Sequence, residues 1–219
     1  MKPKAIVFDA YGTLFDVNSA AEKCKNKIGS KWENFANFWR TTQLEYTWLR
    51  SLMKKHKDFW QVTEDSLDKS MKVFKIDSNL KNELLNLYKI LSPYPEVKKV
   101  LTDLKERKFK LAILSNGTPK LLEELVKNNN LNNLFEDLFS IEEVKIYKPD
   151  SRVYDLPVKK YNIKPNEIIF LSANTWDVSG GGNFGYNSIW VNRNKSHFDN
   201  LDYLPKNEIG NLTQLLDIV

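Results

Sequence analysis

The sequence predicts an α/β protein, a doubly wound parallel sheet interrupted after its first strand by a helical insertion. Three observations carry this reading. Short apolar β-prone runs recur far apart in the chain, each ending in small polar residues. Amphipathic helical patterns lie between the later runs, the alternation that parallel sheets require. One long stretch near the start carries helical spacing with no strand candidate inside it.

Ala5-Ile6-Val7-Phe8 is the first strand, stopping at Asp9, with Gly12 and Thr13 supplying a turn. Trp32, Phe35, Phe38, Trp39, Tyr46, Leu49, Leu52 and Met53 then recur at helical spacing, and further helical pattern covers 63–74 and 80–91. The turn signal Ser92-Pro93-Tyr94-Pro95 ends the insertion. A helix is expected over 96–107, then a second strand Leu111-Ala112-Ile113-Leu114 ending at Ser115-Asn116-Gly117. Helices over 119–128, closed by Asn128-Asn129-Asn130, and over 151–161 precede a third strand, Ile168-Ile169-Phe170-Leu171, ending at Ser172-Ala173-Asn174. A glycine-rich loop over 180–185 leads to a fourth, Ser188-Ile189-Trp190-Val191. The expected division is an α/β core domain over 1–14 and 94–219 and a helical domain over 15–93.

Composition narrows the function classes. The 219 residues carry 33 Lys+Arg against 28 Asp+Glu, a net charge of only +5, with 42% hydrophobic residues, which is globular rather than disordered. The basic clusters at 54–57 and 98–110 read as solvated helix surface, so no nucleic-acid partner is expected. One cysteine, Cys24, can form neither an intramolecular disulfide nor a multi-cysteine zinc site, and reads as an ordinary small buried residue. His56, among lysines, reads as solvated and His197 as loop, so no Ser-His-Asp arrangement is expected. No apolar run approaches the roughly 18 residues of a membrane span, and the chain passes from two lysines into a strand pattern without a leader. The expectation is a cytoplasmic protein with no membrane partner.

In an open parallel sheet the ligand crevice lies beyond the carboxyl ends of the strands. That places Asp9, Ser115-Asn116 and the 172–177 segment around one site. A buried Asp9 needs a cation to stay ionised, and Lys148 before Pro149 is the candidate. A carboxylate beside an ammonium is a nucleophile.

Phe8-Asp9-Ala10-Tyr11-Gly12-Thr13-Leu14, Ser115-Asn116-Gly117, Lys148-Pro149 and Asp177 together resemble the four motifs of the haloacid dehalogenase superfamily, in its order and across nearly the whole chain. The resemblance implies a Rossmann-like core with the helical domain as its cap. Most of that superfamily are phosphatases, which carry a second Asp two residues after the nucleophile and acidic residues in the last motif for magnesium. Here those places hold Tyr11 and Ser172-Ala173-Asn174-Thr175-Trp176-Asp177. Arg40-Thr41-Thr42-Gln43-Leu44-Glu45-Tyr46-Thr47-Trp48-Leu49-Arg50 resembles the helix with which the L-2-haloacid dehalogenase branch presents an arginine, and Asn174-Thr175-Trp176-Asp177 and Asn183-Phe184-Gly185 resemble that branch too.

The chemistry agrees with the resemblance. Displacing a halide from saturated carbon needs a naked anion, a cradle for the halide and dry apolar walls. A halide leaves without protonation, so an acid at Tyr11 is dispensable. The resemblance implies that Asp9 attacks C2 of a small 2-haloalkanoic acid, forming an ester that water cleaves at the Asp9 carbonyl. It assigns Asp177 to the water, Lys148 to Asp9, and Ser172 and Asn174 to fixing Lys148 and the local hydrogen bonds. Ser115, with the amides after Asp9 (Ala10, Tyr11), takes the substrate carboxylate, and Arg40 and Asn116 receive the halide. Trp176, Tyr11, Leu44 and Phe59 form the apolar pocket, with Thr13 and Tyr154 in support. No metal and no other cofactor is implied, and a homodimer is. The rivals are a magnesium-dependent phosphatase of a small metabolite and a catalytically silent binding protein on the same scaffold. Two departures from the branch's pattern bear on turnover: Thr42, where lysine is common, touches the charge at the cleft mouth, and Gly180-Gly181-Gly182 loosens the loop after Asp177.

Overall fold

The computed structural model describes residues 3–219. Strand β1 (Ala5–Phe8) is followed by α1 (Ser19–Lys23), α2 (Lys25–Ile28), α3 (Trp32–Leu52), α4 (Phe59–Phe74) and α5 (Lys81–Tyr88) before the chain returns through α6 (Val97–Glu106) to β2 (Lys110–Ser115). Then come α7 (Pro119–Asn128), β3 (Asp137–Ser140), α8 (Ser151–Tyr161), β4 (Ile168–Ser172), α9 (Thr175–Phe184), β5 (Asn187–Val191) and β6 (Asn207–Ile209). The six strands form one sheet in the order β3-β2-β1-β4-β5-β6, with every pairing parallel.

Strand β1 lies in the middle of this sheet because it is buried on both faces, as its all-apolar sequence requires. The chain builds outward on one side through β2 and β3, then crosses β1 to build the other side, so the order reverses between β1 and β4. That reversal opens a crevice beyond the strand ends. The covering helices follow from their patterns. In α6 the residues Val97, Val100, Leu101 and Leu104, one helical stripe, are all buried against the sheet. Helix α7 starts at Pro119 behind Thr118, whose side chain accepts the Leu121 amide at 3.2 Å. Asp150 caps α8 in the same way, accepting the Arg152 amide at 3.0 Å.

Helices α1 to α5 pack mainly on one another. Phe35, Trp39 and Phe59 are buried at the contact of α3 with α4, and the Trp39 indole donates to the Thr63 carbonyl at 3.2 Å. Full burial of each such ring contributes about 2 to 3 kcal/mol. The two crossings into this helical segment pair side by side. Phe15 bridges Pro93, the Asp16 amide donates to the Ser92 carbonyl at 2.9 Å, and the Tyr94 amide to the Leu14 carbonyl at 3.0 Å.

Several expectations are corrected here. Residues 180–184 are the second half of α9 rather than a loop, because glycine's low helix propensity is overridden by the close packing that its missing side chains permit. Lys54 to Lys57 form a connection between α3 and α4, not a helix surface, and His56 is half-buried, 3.0 Å from Glu142 and 5.5 Å from the Tyr147 ring. Thr42 is buried within α3 and so does not bear on charge at an open mouth. Strands β3 and β6 went unread because they are short and open on polar residues, Asp137 in β3 and Asn207 and Glu208 in β6, unlike the equally short but wholly apolar β1. No helix among the described residues is long and apolar enough to cross a membrane.

Candidate active site

Register brings three strand ends together. Phe8 pairs with Leu171 on β4 and with Ile113 on β2, so Asp9 stands level with Ser172, and Ser115 and Asn116 lie on the same rim. The Asp9 amide donates to the Leu171 carbonyl at 2.8 Å, fixing the residue at the strand end. Gly12 then takes φ 89°, a conformation that favours glycine, and its amide donates to Phe15 at 2.7 Å. This turn returns Thr13 beneath Asp9.

The two oxygens of Asp9 have different surroundings. Oδ2 accepts from Thr13 Oγ1 at 3.0 Å, from Asn174 Nδ2 at 3.0 Å and from Ser172 Oγ at 3.4 Å. Among the described residues Oδ1 is met by Lys148 Nζ alone, at 3.2 Å. Ser172 and Asn174 therefore hold Asp9 as part of the local hydrogen bonding expected of them, while the expectation that they also fix Lys148 is corrected, since its ammonium is met by Asp9 and Asp177. Both leave the sheet at the end of β4, directly beside Asp9, whereas Lys148 enters from the turn before α8.

The Lys148 ammonium is buried, and such a charge needs paired partners. It has two, bridging Asp9 to Asp177 Oδ2 at 2.9 Å. Asn116 Oδ1 accepts the Lys148 amide at 3.1 Å and so anchors the turn, which contains a cis Lys148–Pro149 bond. Asp177, in the first turn of α9, is wholly buried, and its other oxygen accepts from the Tyr154 hydroxyl at 2.7 Å. Burial pushes the Asp177 carboxyl up to about 6, with Asp9 adding to the rise and Lys148 and Tyr154 opposing it. Burial and Asp177 hold the Tyr154 phenol well above its ordinary range, so it stays a donor.

From the other side α3 reaches in. Arg40 donates to Gln43 Oε1 at 2.9 Å and to the Tyr11 carbonyl at 3.4 Å, the latter shared with Asn174 at 3.3 Å. Gln43 in turn donates to Thr63 Oγ1 at 2.7 Å and the Tyr88 hydroxyl at 3.1 Å. Arg40, Leu44 and Trp48 follow at intervals of four along one face of the helix. The Tyr11 ring lies 5.1 Å from Phe59 and stacks on Tyr88 at 5.7 Å, while Trp176 meets Trp48 edge-on at 5.4 Å. Ala10 and Ser115 are buried at the rim, with Ser115 Oγ accepting the Gly117 amide at 3.1 Å. An apolar cleft of about 420 Å³ opens beside Lys148 and Trp176, walled also by Trp48, Leu52, Ile146 and Tyr147.

Sequence reasoning missed Gln43, Tyr88 and Trp48. Gln43 was findable, being three residues beyond Arg40 on the same helical face. Trp48 was findable in the same way, two turns beyond Arg40, whereas Tyr88 depends on how α3 and α5 meet and leaves no local signal.

The site can hold an anion at Asp9, keep it dry and offer donors on two sides. As a magnesium site it fits badly. The ammonium of Lys148 occupies the place between the two carboxylates, and no group of three or more His, Cys, Asp or Glu suited to a metal ion occurs among the described residues.

The sequence profile of the haloacid dehalogenase-like hydrolases matches residues 3–185. The (S)-2-haloacid dehalogenase 1 of Pseudomonas sp. (strain CBS-3) is 43% identical over 192 residues, covering 87% of this chain and 85% of its own. The (S)-2-haloacid dehalogenase 4A of Burkholderia cepacia is 37% identical, covering 97% and 93%. The L-2-haloacid dehalogenase of Xanthobacter autotrophicus, solved with chloropropionic acid covalently bound, superposes with a TM-score of 0.92 at 31% identity, covering 100% and 98%.

Proposed function

The chain belongs to the haloacid dehalogenase-like hydrolases, and we propose that it hydrolyses short L-2-haloalkanoic acids to D-2-hydroxyalkanoic acids and halide, with inversion at C2, through an aspartyl ester on Asp9. The observation that carries this reading is the asymmetry of Asp9. Oδ1, met only by Lys148 among the described residues, is the free nucleophile, while Oδ2 is held by three donors.

In the first step Oδ1 forms a bond to C2 from the face opposite the halogen, and the halide leaves with its electron pair. Ser115 and the amides of Ala10 and Tyr11 hold the substrate carboxylate. The Arg40 guanidinium and the amide of Asn116 take the halide, Asn116 offering its Nδ2 because its Oδ1 is engaged with Lys148. Tyr11, Leu44, Phe59 and Trp176 exclude water from the alkyl group.

In the second step water adds to the carboxyl carbon of Asp9 and gives its proton to Asp177. A carboxyl raised to about 6 is a base matched to that task near neutral pH. The negative charge collects on Oδ2, where Thr13, Asn174 and Ser172 already donate. Collapse expels the product oxygen, which recovers the proton from Asp177, and leaves Asp9 with one oxygen from water, whose remaining proton is released to solvent to restore the carboxylate. Tyr154 and Lys148 orient Asp177 throughout. The helical segment over 15–93 serves as a cap, and the enzyme works without a metal, in the cytoplasm, as a homodimer.

Chloride titration with each enantiomer of 2-chloropropionate tests the reading. Release from the L-enantiomer alone, lost in Asp9→Asn, is the expected outcome. Full activity in Asp9→Asn would overturn the mechanism, and phosphate release from small phosphoesters without dehalogenation would overturn the substrate class.

A further inference from the structure

Helix α9 contains three consecutive glycines, Gly180 to Gly182, and none has a positive φ that would demand glycine. Glycine inside a helix costs stability relative to alanine, so its presence needs a packing reason. The reasons differ along the run. A Cβ on Gly181 would lie 2.7 Å from the Phe170 ring, and one on Gly182 would lie 2.1 Å from Tyr203. Tyr203 has no contact with the carboxylates among the described residues, whereas the Phe170 ring lies under the Lys148 ammonium, 5.0 Å from it, so Gly182 is the cleaner comparison. A Cβ on Gly180 would lie 2.4 Å from the Tyr154 hydroxyl and 2.8 Å from Pro149 Cβ.

Those two atoms belong to the groups that hold Asp177. Tyr154 crosses α9 at Gly180 to donate to Asp177 Oδ1 at 2.7 Å, and Pro149 seats the turn from which Lys148 reaches Oδ2 at 2.9 Å. Gly180 stands three residues beyond Asp177, on the same face of the helix. We propose that Gly180 is a positioning residue for ester hydrolysis, its missing side chain allowing Tyr154 and Lys148 to reach Asp177 together. This rests on the reading of Asp177 as the base.

The groups facing Asp177 are Lys148 from the turn before α8, Tyr154 from α8, Asp9 from the end of β1, and Tyr186, whose phenol feels its charge. Displacing Tyr154 or Lys148 removes a group that favours the ionised carboxylate and leaves burial and Asp9 less opposed. The Asp177 carboxyl then rises further.

The test compares Gly180→Ala with wild type and with Gly182→Ala, a control that crowds Tyr203 instead. In Gly180→Ala the stoichiometric halide burst of the first turnover is expected to persist, steady-state kcat to fall by about 10-fold or more, and the acidic limb of the kcat profile to move to higher pH. Gly182→Ala should lower thermal stability without moving the limb. Adding Tyr154→Phe removes the atom 2.4 Å away, so Gly180→Ala should cost less in that background than in wild type. Should Gly180→Ala alone not fold, recovery of folded protein in the double variant supports the contact and no recovery overturns it. A wild-type limb in Gly180→Ala, or burst and turnover falling equally, overturns the proposal.

A readout independent of turnover separates this from the function itself. The native Asp177 carboxyl lies above its unfolded value, so its ionisation weakens the fold as pH rises between the two. In Gly180→Ala that loss extends to higher pH, so the stability gap to wild type widens above about pH 6. An inactive wild-type enzyme with this widening gap would reject the dehalogenase reading and keep the positioning role. A pH-independent gap would reject the positioning role.

Discussion

Thr13 Oγ1 donates to Asp9 Oδ2 at 3.0 Å while accepting the Ala173 amide at 2.8 Å, so the end of β4 aims the hydroxyl at the carboxylate. The same oxygen of Asp9 carries charge when water adds to the ester. Thr13→Val removes this donor at nearly constant shape. Ester hydrolysis is expected to slow by about 10²-fold, the loss typical of one oxyanion donor. Rapid-quench measurement should find the first-turnover halide burst intact, and an equal slowing of both steps would place Thr13 elsewhere in the mechanism.

Asp177 sets a pH dependence of known sign. It must be ionised to take a proton from water, and its carboxyl is raised to about 6 by burial first and Asp9 second. The kcat profile is therefore expected to rise through an acidic limb near pH 6, and stability to fall over the interval from the unfolded value of about 4 to 6. Opposite slopes for activity and melting temperature across that interval are the signature. Flat activity from pH 4 to 8 would remove Asp177 from the role of base.

Gln43 joins Arg40 to the interior of the helical segment through Thr63 and Tyr88. Gln43→Leu keeps the volume and strands these partners without a hydrogen bond. A loss of about 1 to 3 kcal/mol in stability is expected from denaturant unfolding. With Arg40 unguided, KM for 2-chloropropionate should rise as well. Unchanged KM would mean that Arg40 is held by the Tyr11 carbonyl alone.

Lys148 Nζ bridges the two carboxylates, 3.2 Å from Asp9 and 2.9 Å from Asp177, and supplies the positive charge between them. Chelation by EDTA is expected to leave chloride release unchanged, and added magnesium to give no activation. Lys148→Ala should abolish turnover in either condition, because two buried carboxylates would then face each other without a cation. Rescue of that variant by magnesium would contradict this reading of the site.

Much of the architecture was legible because the strands at the centre of the sheet are wholly apolar and stop at polar residues. Asp9, Ser115 and Ser172 end such runs, and the structure brings them to one rim. The short edge strands β3 and β6 carry no comparable signal. The pairing of Ser172 and Asn174 with Asp9 rather than Lys148 depends on register across 163 and 165 residues of chain, which local pattern does not encode. The glycines of α9 suggested a loop because propensity is a local quantity, while their role lies in contacts with Tyr154, Phe170 and Tyr203. Tyr88 became visible only once its helix was placed against α3.

The central claim is the covalent ester on Asp9, and a single turnover in ¹⁸O-water with enzyme in excess over L-2-chloropropionate tests it most directly. The expected result is an unlabelled hydroxyl in the product, one ¹⁸O in the peptide containing Asp9 and none in Asp9→Asn. Label in the product hydroxyl from the first turnover, with Asp9 unlabelled, would mean that water attacks C2 itself and that no ester forms.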